Sequence, residues 1–267
     1  MKKSRSQQRS DSPKAAGSAS GSARRQADAT QRPFAVFDID GTLIRWQLYH
    51  AIADALGKYG YLDSKDYDDI RRARMLWKKR TGSESFPAYS KRVVQAYDHI
   101  VKKLDIKQFE DAVDEVFDEY KDQVYSYTRD LIEKLKDDGY LLFAISGSQA
   151  EIVEKIAKYY GFDDYMASIY YRKGDHFTGA KRVASINKKK NLDSLMKRYG
   201  VNFTGSIAVG DSIGDIEMLE EVENPIAFNP DSKLLTHARD QGWEIVVERK
   251  NAIYELRLGQ NGQYKLV

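Results

Sequence analysis

Cysteine is missing from the 267 residues of this chain. Its absence excludes disulfides, thiolate zinc sites and thiol nucleophiles, and it is typical of a reducing compartment. The four histidines, His50, His99, His176 and His237, show no metal-ligand spacing. The chain also lacks an apolar run of about 18 residues, the length that a membrane span needs. We therefore expect a soluble, cytoplasmic protein without a membrane partner.

Large apolar residues are almost missing from residues 1–32, which carry eight Lys or Arg against two Asp, together with seven serines. Low hydrophobicity combined with high net charge predicts a disordered basic tail. The tail has a net charge of +6 and the whole chain only +3, so the remainder is slightly acidic. We interpret the tail as a solubilising leader. Weak, salt-sensitive binding of nucleic acid through residues 1–32 stays open as an alternative.

Pairs of acids follow two short apolar runs at distant points of the chain. The acids are Asp38 and Asp40 after residues 34–37, and Asp211 and Asp215 after residues 207–209. Acids at the carboxyl ends of parallel strands point into one crevice, so we expect all four to meet there. Carboxylates without cysteine or histidine suit Mg²⁺, whereas zinc favours nitrogen or sulfur. The alternative is that each acid only caps a helix or fills a turn.

The wider pattern predicts an α/β fold, a Rossmann-like parallel sheet wrapped by helices with an inserted helical cap. Short apolar runs alternate with helical stretches that end at glycines. The runs cover residues 141–145, 207–209, 226–228 and 245–247. We expect residues 33–44 and 129–250 to form the α/β core, residues 45–128 to form the cap, and residues 251–267 to add a C-terminal hairpin.

The predicted cap shows apolar residues three and four positions apart, the spacing of a helix face, as at Val113, Val116 and Tyr120. Such an insertion can close over a crevice and carry the groups that recognise the substrate. We interpret its aromatic residues, Trp46 and Trp77 among them, as packing groups rather than substrate contacts.

Four motifs, taken in chain order, resemble those of the haloacid dehalogenase superfamily, subfamily IB, and within it the phosphoserine phosphatase group. The motifs are Asp38–Thr42, Ile145–Ser148, one of the lysines at 188–190, and Gly210–Asp215. The resemblance spans residues 34 to about 247. It implies a Rossmann-like core with a helical cap and the activity of a phosphoric monoester hydrolase.

The resemblance also implies catalytic roles. Asp38 would attack phosphorus to form an aspartyl-phosphate, and Asp40 would protonate the leaving oxygen and later deprotonate water. Dehalogenases of the superfamily lack the second acid, so Asp40 favours a phosphate ester as substrate. Asp211 would complete the Mg²⁺ site with the Asp38 carboxylate and the Asp40 carbonyl. Asp215 is also expected at the metal, where it would orient the cluster through a metal-bound water or the lysine.

Phosphate binding is implied for four residues: Thr42, Ser146, Gly147 and Lys188. Ser146 and the Gly147 amide follow an apolar run and are expected just before a helix, where backbone N–H groups meet an anion. The helix after the lysine run has apolar residues at Leu192 and Leu195. This phase resembles that of the lysine helix of the family best when Lys188 is the catalytic lysine, with Lys189 as the second choice.

Substrate recognition departs from the phosphoserine enzymes of the family. They carry a glutamate that reads the substrate amine, and Gln47 stands at the matching position. An amide cannot pair with an ammonium as a carboxylate can, so phosphoserine is disfavoured. Arg92 is the nearest match to the arginine that binds the substrate carboxylate.

We therefore expect Mg²⁺-dependent hydrolysis of a small phosphorylated metabolite through an aspartyl-phosphate. A phosphotransferase or mutase that uses the same intermediate remains open, and so does a nucleic-acid-binding protein that acts through the tail. The sequence indicates no oligomeric state.

Overall fold

A computed structural model describes residues 32–79, 82 and 84–267 of the protein. Within these residues one sheet has nine strands in the order β4-β3-β2-β1-β5-β6-β7-β8-β9. The strands are β1 (Phe34–Phe37), β2 (Leu141–Gln149), β3 (Asp164–Lys173), β4 (His176–Arg182), β5 (Ile207–Gly210), β6 (Asn224–Phe228), β7 (Glu244–Arg249), β8 (Ala252–Leu258) and β9 (Tyr264–Leu266). The strands from β3 through β7 in this order pair in parallel.

The α-helices lie in two groups along the chain. Between β1 and β2 come α1 (Leu48–Lys58), α2 (Ser64–Lys78), α3 (Ser85–Ile100), α4 (Ile106–Tyr120) and α5 (Ser126–Asp137). After β2 come α6 (Ala150–Tyr160), α7 (Lys188–Tyr199), α8 (Ile216–Leu219) and α9 (Ser232–Gln241). The glycines after α6, α7 and α9 adopt the left-handed conformation that ends a helix. The predicted α/β fold class is confirmed.

The central strand β1 is buried on both faces, as expected of a parallel sheet covered by helices. Its side chains alternate between two hydrophobic cores. Ala35 and Phe37 pack in the core that continues into the first group of helices. Phe34 and Val36 pack in the core beneath α7 and α9. The carboxyl end of β1 therefore lies fixed at the middle of the sheet.

The helices inserted after β1 connect to the core through two neighbouring linkers. Ile44 forms an antiparallel bridge with Val124, and the Arg45 N–H donates to the Gln123 carbonyl. Tyr125 donates its N–H to the Leu43 carbonyl at 3.0 Å. We propose that α1 to α4 act as the cap. Helix α5 begins inside the segment 45–128 predicted as cap, yet it packs against β2 of the sheet.

Both ends of the described chain contact the α/β core. Disorder was predicted for residues 1–32, and residues 1–31 of that segment lie outside the described residues. Arg32 donates to the carbonyls of Gly139 at 2.7 Å and Tyr140 at 2.9 Å, so it belongs with the fold rather than with the tail. At the other end β8 pairs with β7 as well as with β9, so residues 252–266 continue the sheet as antiparallel strands.

None of the described helices is both long enough and apolar enough to cross a bilayer.

Candidate active site

Two acids from neighbouring strands meet at the carboxyl edge of the sheet. Asp38 follows β1 and Asp211 follows β5, and these strands pair in parallel with Phe37 opposite Val209. The Asp38 N–H donates to the Val209 carbonyl at 2.9 Å. One carboxylate oxygen from each of Asp38, Asp211 and Asp215 lies within 4.8 Å of the others. We call these three residues, with Asp40 and Lys188, the acidic cluster.

Lys188 supplies the positive charge of the cluster. It opens α7, whose first turn is capped by Asn187, and its side chain is only 4% exposed. Its Nζ lies 2.5 Å from an oxygen of Asp38 and 2.5 Å from an oxygen of Asp215. Burial lowers the pKa of this lysine, but the two carboxylates outweigh burial and raise the pKa above its usual range. Lys189 pairs instead with Glu221 at the surface, so the structure brings Lys188 to the cluster.

Asp215 is fully buried and fixes the loop after β5. Its Oδ2 accepts from the N–H groups of Asp211 (3.1 Å) and Ser212 (2.9 Å) and from the Ser212 hydroxyl (2.9 Å). Its Oδ1 accepts from Lys188. Both oxygens are thus engaged by protein donors, and Asp215 orients the Asp211 backbone and the lysine.

Asp40 is held apart from the lysine by another set of donors. The Ser146 hydroxyl donates to Oδ2 at 2.5 Å, and the Ser148 hydroxyl and the Leu48 N–H donate to Oδ1 at 2.9 and 2.6 Å. Burial raises the pKa of Asp40 although these donors favour its ionised form. A carboxyl group with a raised pKa is suited to giving and taking a proton.

The second motif lies in a strand rather than before a helix. Strand β2 runs on to Gln149, and α6 begins only at Ala150. The register between β2 and β3 shifts between Ile145 and Gln149, an irregularity that re-aims side chains next to functional sites. The expected position at a helix N-terminus is therefore wrong for Ser146 and Gly147. Gly147 still lines the cavity described below, whereas Ser146 is fully buried and bonds Asp40.

Thr42 is fully buried beneath the turn after β1. Its carbonyl accepts from the Thr128 hydroxyl at 2.9 Å, while its own Oγ1 has no partner among the described residues. Thr42 does not line the cavity. These contacts join the turn to α5, and they favour a structural role for Thr42 over a phosphate contact.

Burial and mutual repulsion act on the two acids that face each other across the strand ends. Burial raises the pKa of Asp38 to about 7, against the lowering effect of the Lys188 charge. Burial, Asp38 and Asp215 raise the pKa of Asp211 well above its usual range. A bound cation would relieve this repulsion.

The donor set fits Mg²⁺. The clustered donors are carboxylate oxygens of Asp38, Asp211 and Asp215, and oxygen ligands are those that a hard cation prefers. Gly41 has φ +91°, and a Cβ placed there would lie 2.2 Å from the Asp211 carboxylate. Only glycine therefore lets the turn after β1 approach this carboxylate. The Asp38 and Asp211 carboxylates would hold the ion, with the Asp40 carbonyl that the family resemblance implies. Asp215 lies in the same group, but protein donors already engage both of its oxygens.

A cavity of about 610 Å³ lies over the acidic cluster. Asp38, Asp40, Lys188 and Asp211 line its base, with Gly147 and Ser148 beside them. The opposite side is formed by aromatic residues from the first group of helices and the linker before them. We call these the aromatic wall: Trp46, Tyr49, His50, Trp77 and Phe86.

The two candidate substrate residues have different positions. Gln47 lines the cavity, and its Nε2 donates to the Asp40 carbonyl at 3.1 Å. Arg92 is exposed and borders a separate surface cavity with Asp69. Phe86, Ser90 and Val94 on α3 repeat every four residues and face the active-site cavity. Because Arg92 lies two residues from Ser90, helical periodicity turns it away, and the structure does not bring it to the site.

Sequence reasoning missed several residues of this cavity. Ser148 stood inside the second motif but received no role, although its hydroxyl bonds Asp40. Asn229 lines the cavity with a positive φ of 42°, and its Oδ1 accepts from the Glu248 N–H at 2.9 Å. The residues Asn229-Pro230-Asp231, which are typical of a turn, are the signal that could have identified this position. Trp46 and Trp77 were interpreted as packing groups, yet they line the cavity.

Comparisons with known proteins agree with this geometry. The sequence model of the family described as haloacid dehalogenase-like hydrolase matches residues 35–220. A protein of Mycobacterium leprae described as a hydrolase is 25% identical over 217 residues, which cover 79% of this chain and 71% of the relative. A phosphoserine phosphatase of Mycobacterium tuberculosis is 30% identical over 136 residues, 49% of this chain, and this chain spans less than half (44%) of that relative.

Among solved structures, an apo phosphoserine phosphatase matches with a TM-score of 0.58 and 22% identity, over 83% of this chain and 96% of that one. At this identity the likeness shows the fold. The predicted family, fold class and hydrolase class are therefore confirmed. With its cluster of acids at the ends of β1 and β5 and a family match over most of its length, this chain belongs to the haloacid dehalogenase-like hydrolases.

Proposed function

We propose that the protein is an Mg²⁺-dependent phosphatase that hydrolyses a small phosphomonoester through an aspartyl-phosphate on Asp38. The observation that carries this proposal is the arrangement of the two acids of the first motif. Asp38 contacts the Lys188 ammonium and lines the cavity. Asp40, two residues on, is kept apart from Lys188 by two serines and a backbone N–H.

In the first step the Asp38 carboxylate attacks phosphorus, and the bond from phosphorus to the leaving oxygen breaks. Asp40 gives its proton to this oxygen, so the product leaves as an alcohol. Lys188 lies where it neutralises Asp38 and the incoming phosphate. Asp215 positions Lys188 and does not itself line the cavity.

In the second step water attacks the aspartyl-phosphate, and Asp40 takes a proton from this water. The bond from phosphorus to Asp38 breaks, which frees the carboxylate and releases inorganic phosphate. Bound Mg²⁺ supplies positive charge that offsets the repulsion between the nucleophile and the phosphate. The names of several relatives support the proposal, since they include phosphoserine phosphatases.

Phosphate release from a panel of small phosphomonoesters, with and without millimolar Mg²⁺, tests the proposal. We expect Mg²⁺-dependent turnover by the intact chain and a loss on the order of 10⁴-fold or more in Asp38→Asn. Asp68→Asn is the matched control, because Asp68 is exposed on α2. Equal turnover by Asp38→Asn would overturn the assignment. Transfer of phosphate to an added alcohol instead of water would identify a phosphotransferase.

A further inference from the structure

Among the described residues, each charged side chain that lines the cavity above the acidic cluster already has a protein partner, either an ion pair or backbone N–H donors. Above the acidic cluster, the charged side chains that line the cavity within the described residues are Arg45, Lys181 and Asp231. Arg45 pairs with the buried Glu248. Lys181 donates to both oxygens of Asp98, at 2.7 and 2.6 Å.

Asp231 is engaged as well. It caps α9 by accepting from the N–H groups of Lys233 and Leu234, and it accepts from the Ile213 N–H. An amino-acid ammonium needs a carboxylate partner, and a carboxylate needs a free cation. Gln47 and Arg92 provide neither, since Gln47 bonds the Asp40 carbonyl and Arg92 lies outside the cavity. A phosphorylated amino acid would therefore lose the hydration of two charges without compensation.

The aromatic wall offers flat rings instead. The rings of Trp46 and Trp77 lie 5.5 Å apart between centroids, and those of Trp77 and Phe86 lie 5.2 Å apart. Trp77 also stacks on Tyr89 at 5.5 Å with an interplanar angle of 1°, which holds the indole in place. Aromatic side chains arranged in this way favour a further ring in an offset or edge contact.

Three polar atoms of the aromatic wall are buried without a partner among the described residues, and the Tyr49 hydroxyl is one of them. His50 is 3% exposed, and its Nδ1 has no partner among the described residues. The Trp46 Nε1 is likewise buried and unpartnered within them. Burial lowers the pKa of His50 to about 4, so the imidazole is neutral near pH 7 and can bond an uncharged group. A buried polar atom without a partner costs stability, which a bound polar substituent would recover.

A cationic ligand is less suited to this wall. The Arg74 guanidinium already lies 5.0 Å from the centroid of the Trp46 ring, and it pairs with Asp54. A quaternary ammonium beside Trp46 would therefore meet a like charge and a ring whose attraction for cations is already in use.

We propose that the leaving group of the substrate carries a neutral aromatic ring, which the aromatic wall binds while the phosphate sits on the acidic cluster. This inference rests on the proposed phosphatase function and names its substrate class. A polar atom on the ring would bond the His50 Nδ1 or the Trp46 Nε1. The cavity of about 610 Å³ has room for one substituted ring and the phosphate.

Kinetics with esters of similar primary alcohols test the inference, since similar leaving groups make the chemical step comparable. The panel contains phenethyl phosphate, its saturated cyclohexylethyl analogue, phosphoserine and choline phosphate. We expect kcat/KM for the phenethyl ester to exceed that for the saturated analogue on the order of fivefold, through KM. We expect it to exceed that for phosphoserine by at least about 100-fold.

Substitution on α2 provides the matched variants. In Trp77→Leu the ratio of kcat/KM for the phenethyl ester to kcat/KM for the cyclohexylethyl ester should fall towards one. Trp77→Phe should restore most of this ratio. Leu76→Ala is the control, because Leu76 is the neighbouring residue and is 56% exposed. In Asp38→Asn, phenethyl phosphate should quench tryptophan fluorescence, and Trp77→Leu in that background should weaken the quenching.

The outcomes separate this inference from the function on which it rests. Turnover of every ester with phosphoserine or choline phosphate preferred would overturn the aromatic leaving group and leave the phosphatase in place. Equal rates for the flat and the saturated ring, or an unchanged ratio in Trp77→Leu, would do the same. No turnover of any ester with Mg²⁺ would contradict the proposed function itself.

Discussion

The acidic cluster and the aromatic wall face the same cavity but differ in how their polar atoms are satisfied. In the cluster, Asp40 and Asp215 each accept several hydrogen bonds, and Lys188 lies between two carboxylates. In the wall, His50 and Trp46 keep buried polar atoms without partners among the described residues. These hydrogen bonds and ion pairs hold Asp38, Asp40, Asp215 and Lys188 in place, so this part of the cluster is preorganised for one reaction. The unpartnered atoms in the wall can bond a ligand. We therefore assign the reaction to the acidic cluster and the choice of substrate to the aromatic wall.

The largest expected effect comes from removing the positive charge of the cluster. Lys188→Met should lower turnover by about 10³-fold, since a preorganised cation at the phosphate is lost. Without Mg²⁺ it should also destabilise the protein by about 3 kcal/mol, because two buried carboxylates lose their partner. Phosphate release and urea denaturation measure the two effects.

Lys189→Met is the matched control for this change. Lys189 is the next residue along α7, and its pair with Glu221 lies at the surface. Surface pairs contribute little to stability, so neither turnover nor the free energy of unfolding should change much. Similar losses of turnover and stability in both variants would show that the lysines only stabilise the start of α7, and would contradict a specific role for Lys188.

Asp40→Asn should give the next largest effect, a loss of about 100-fold to 1,000-fold on alkyl phosphates, since general acid catalysis is removed. The loss should be much smaller on para-nitrophenyl phosphate, whose leaving group departs without a proton. Comparing kcat/KM for the two esters measures this difference. The same loss on both esters would mean that Asp40 acts through the structure of the turn and not through its proton.

Gly41→Ala tests whether Mg²⁺ binding depends on the close approach of the turn after β1 to the Asp211 carboxylate. Its effect must be distinguished from the backbone strain that a side chain causes at a positive φ. A Cβ at Gly41 would meet the Asp211 carboxylate at 2.2 Å. We expect the rise in melting temperature caused by Mg²⁺ to disappear, together with a destabilisation of about 1–3 kcal/mol. Thermal melts with and without Mg²⁺ test this.

Gly60→Ala supplies the control for that experiment. Gly60 also has a positive φ, +77°, but a Cβ there has no atom within 4 Å. This variant should carry backbone strain and still respond to Mg²⁺. If both variants keep the Mg²⁺ response, the Asp211 carboxylate is not part of the ion site.

For His50 we expect an effect on stability that depends on pH. Its folded-state pKa of about 4 lies below the ordinary 6.5 because of burial and the nearby Arg74 charge. The unfolded state therefore takes up a proton more readily, and stability should fall as the pH drops below about 6.5, with the loss complete near pH 4. The shift corresponds to about 3 kcal/mol.

Urea denaturation at about pH 7 and about pH 4 measures this dependence. His50→Gln should lose that part of the pH dependence, whereas His99→Gln, at an exposed position on α3, should keep it. Ser90, whose hydroxyl lies 3.4 Å from the His50 Nε2, is not substituted in either variant. An unchanged pH dependence in His50→Gln would contradict the buried, neutral imidazole.

The acidic cluster could be predicted from the sequence because its residues stand in short motifs directly after strands. The carboxyl ends of parallel strands open into one crevice, so Asp38 and Asp211 were expected together from their positions directly after two apolar runs, and β1 and β5 do pair in parallel. The phase of α7 separated Lys188 from Lys189 in the same way. Ser148 was missed because β2 runs four residues beyond its apolar run, and its register shift turns a further side chain towards Asp40.

The aromatic wall could not be predicted in this way. Its members come from the linker after β1 and from α1, α2 and α3, and the packing of these segments decides which aromatic face meets the cavity. Helical periodicity identifies a buried face but does not distinguish a helix neighbour from a cavity. Trp77 was therefore interpreted as packing, and Arg92 was assigned to the substrate although it lies on the outer side of α3.

Direct detection of the phosphorylated aspartate tests the central claim most directly. The intact chain would be mixed with a phosphomonoester and Mg²⁺, quenched in acid during turnover, digested and examined by mass spectrometry. We predict one added phosphoryl group on the peptide that contains Asp38, and none in Asp38→Asn. Rapid phosphate release without any phosphorylated Asp38 peptide, or release that persists in Asp38→Asn, would contradict the mechanism.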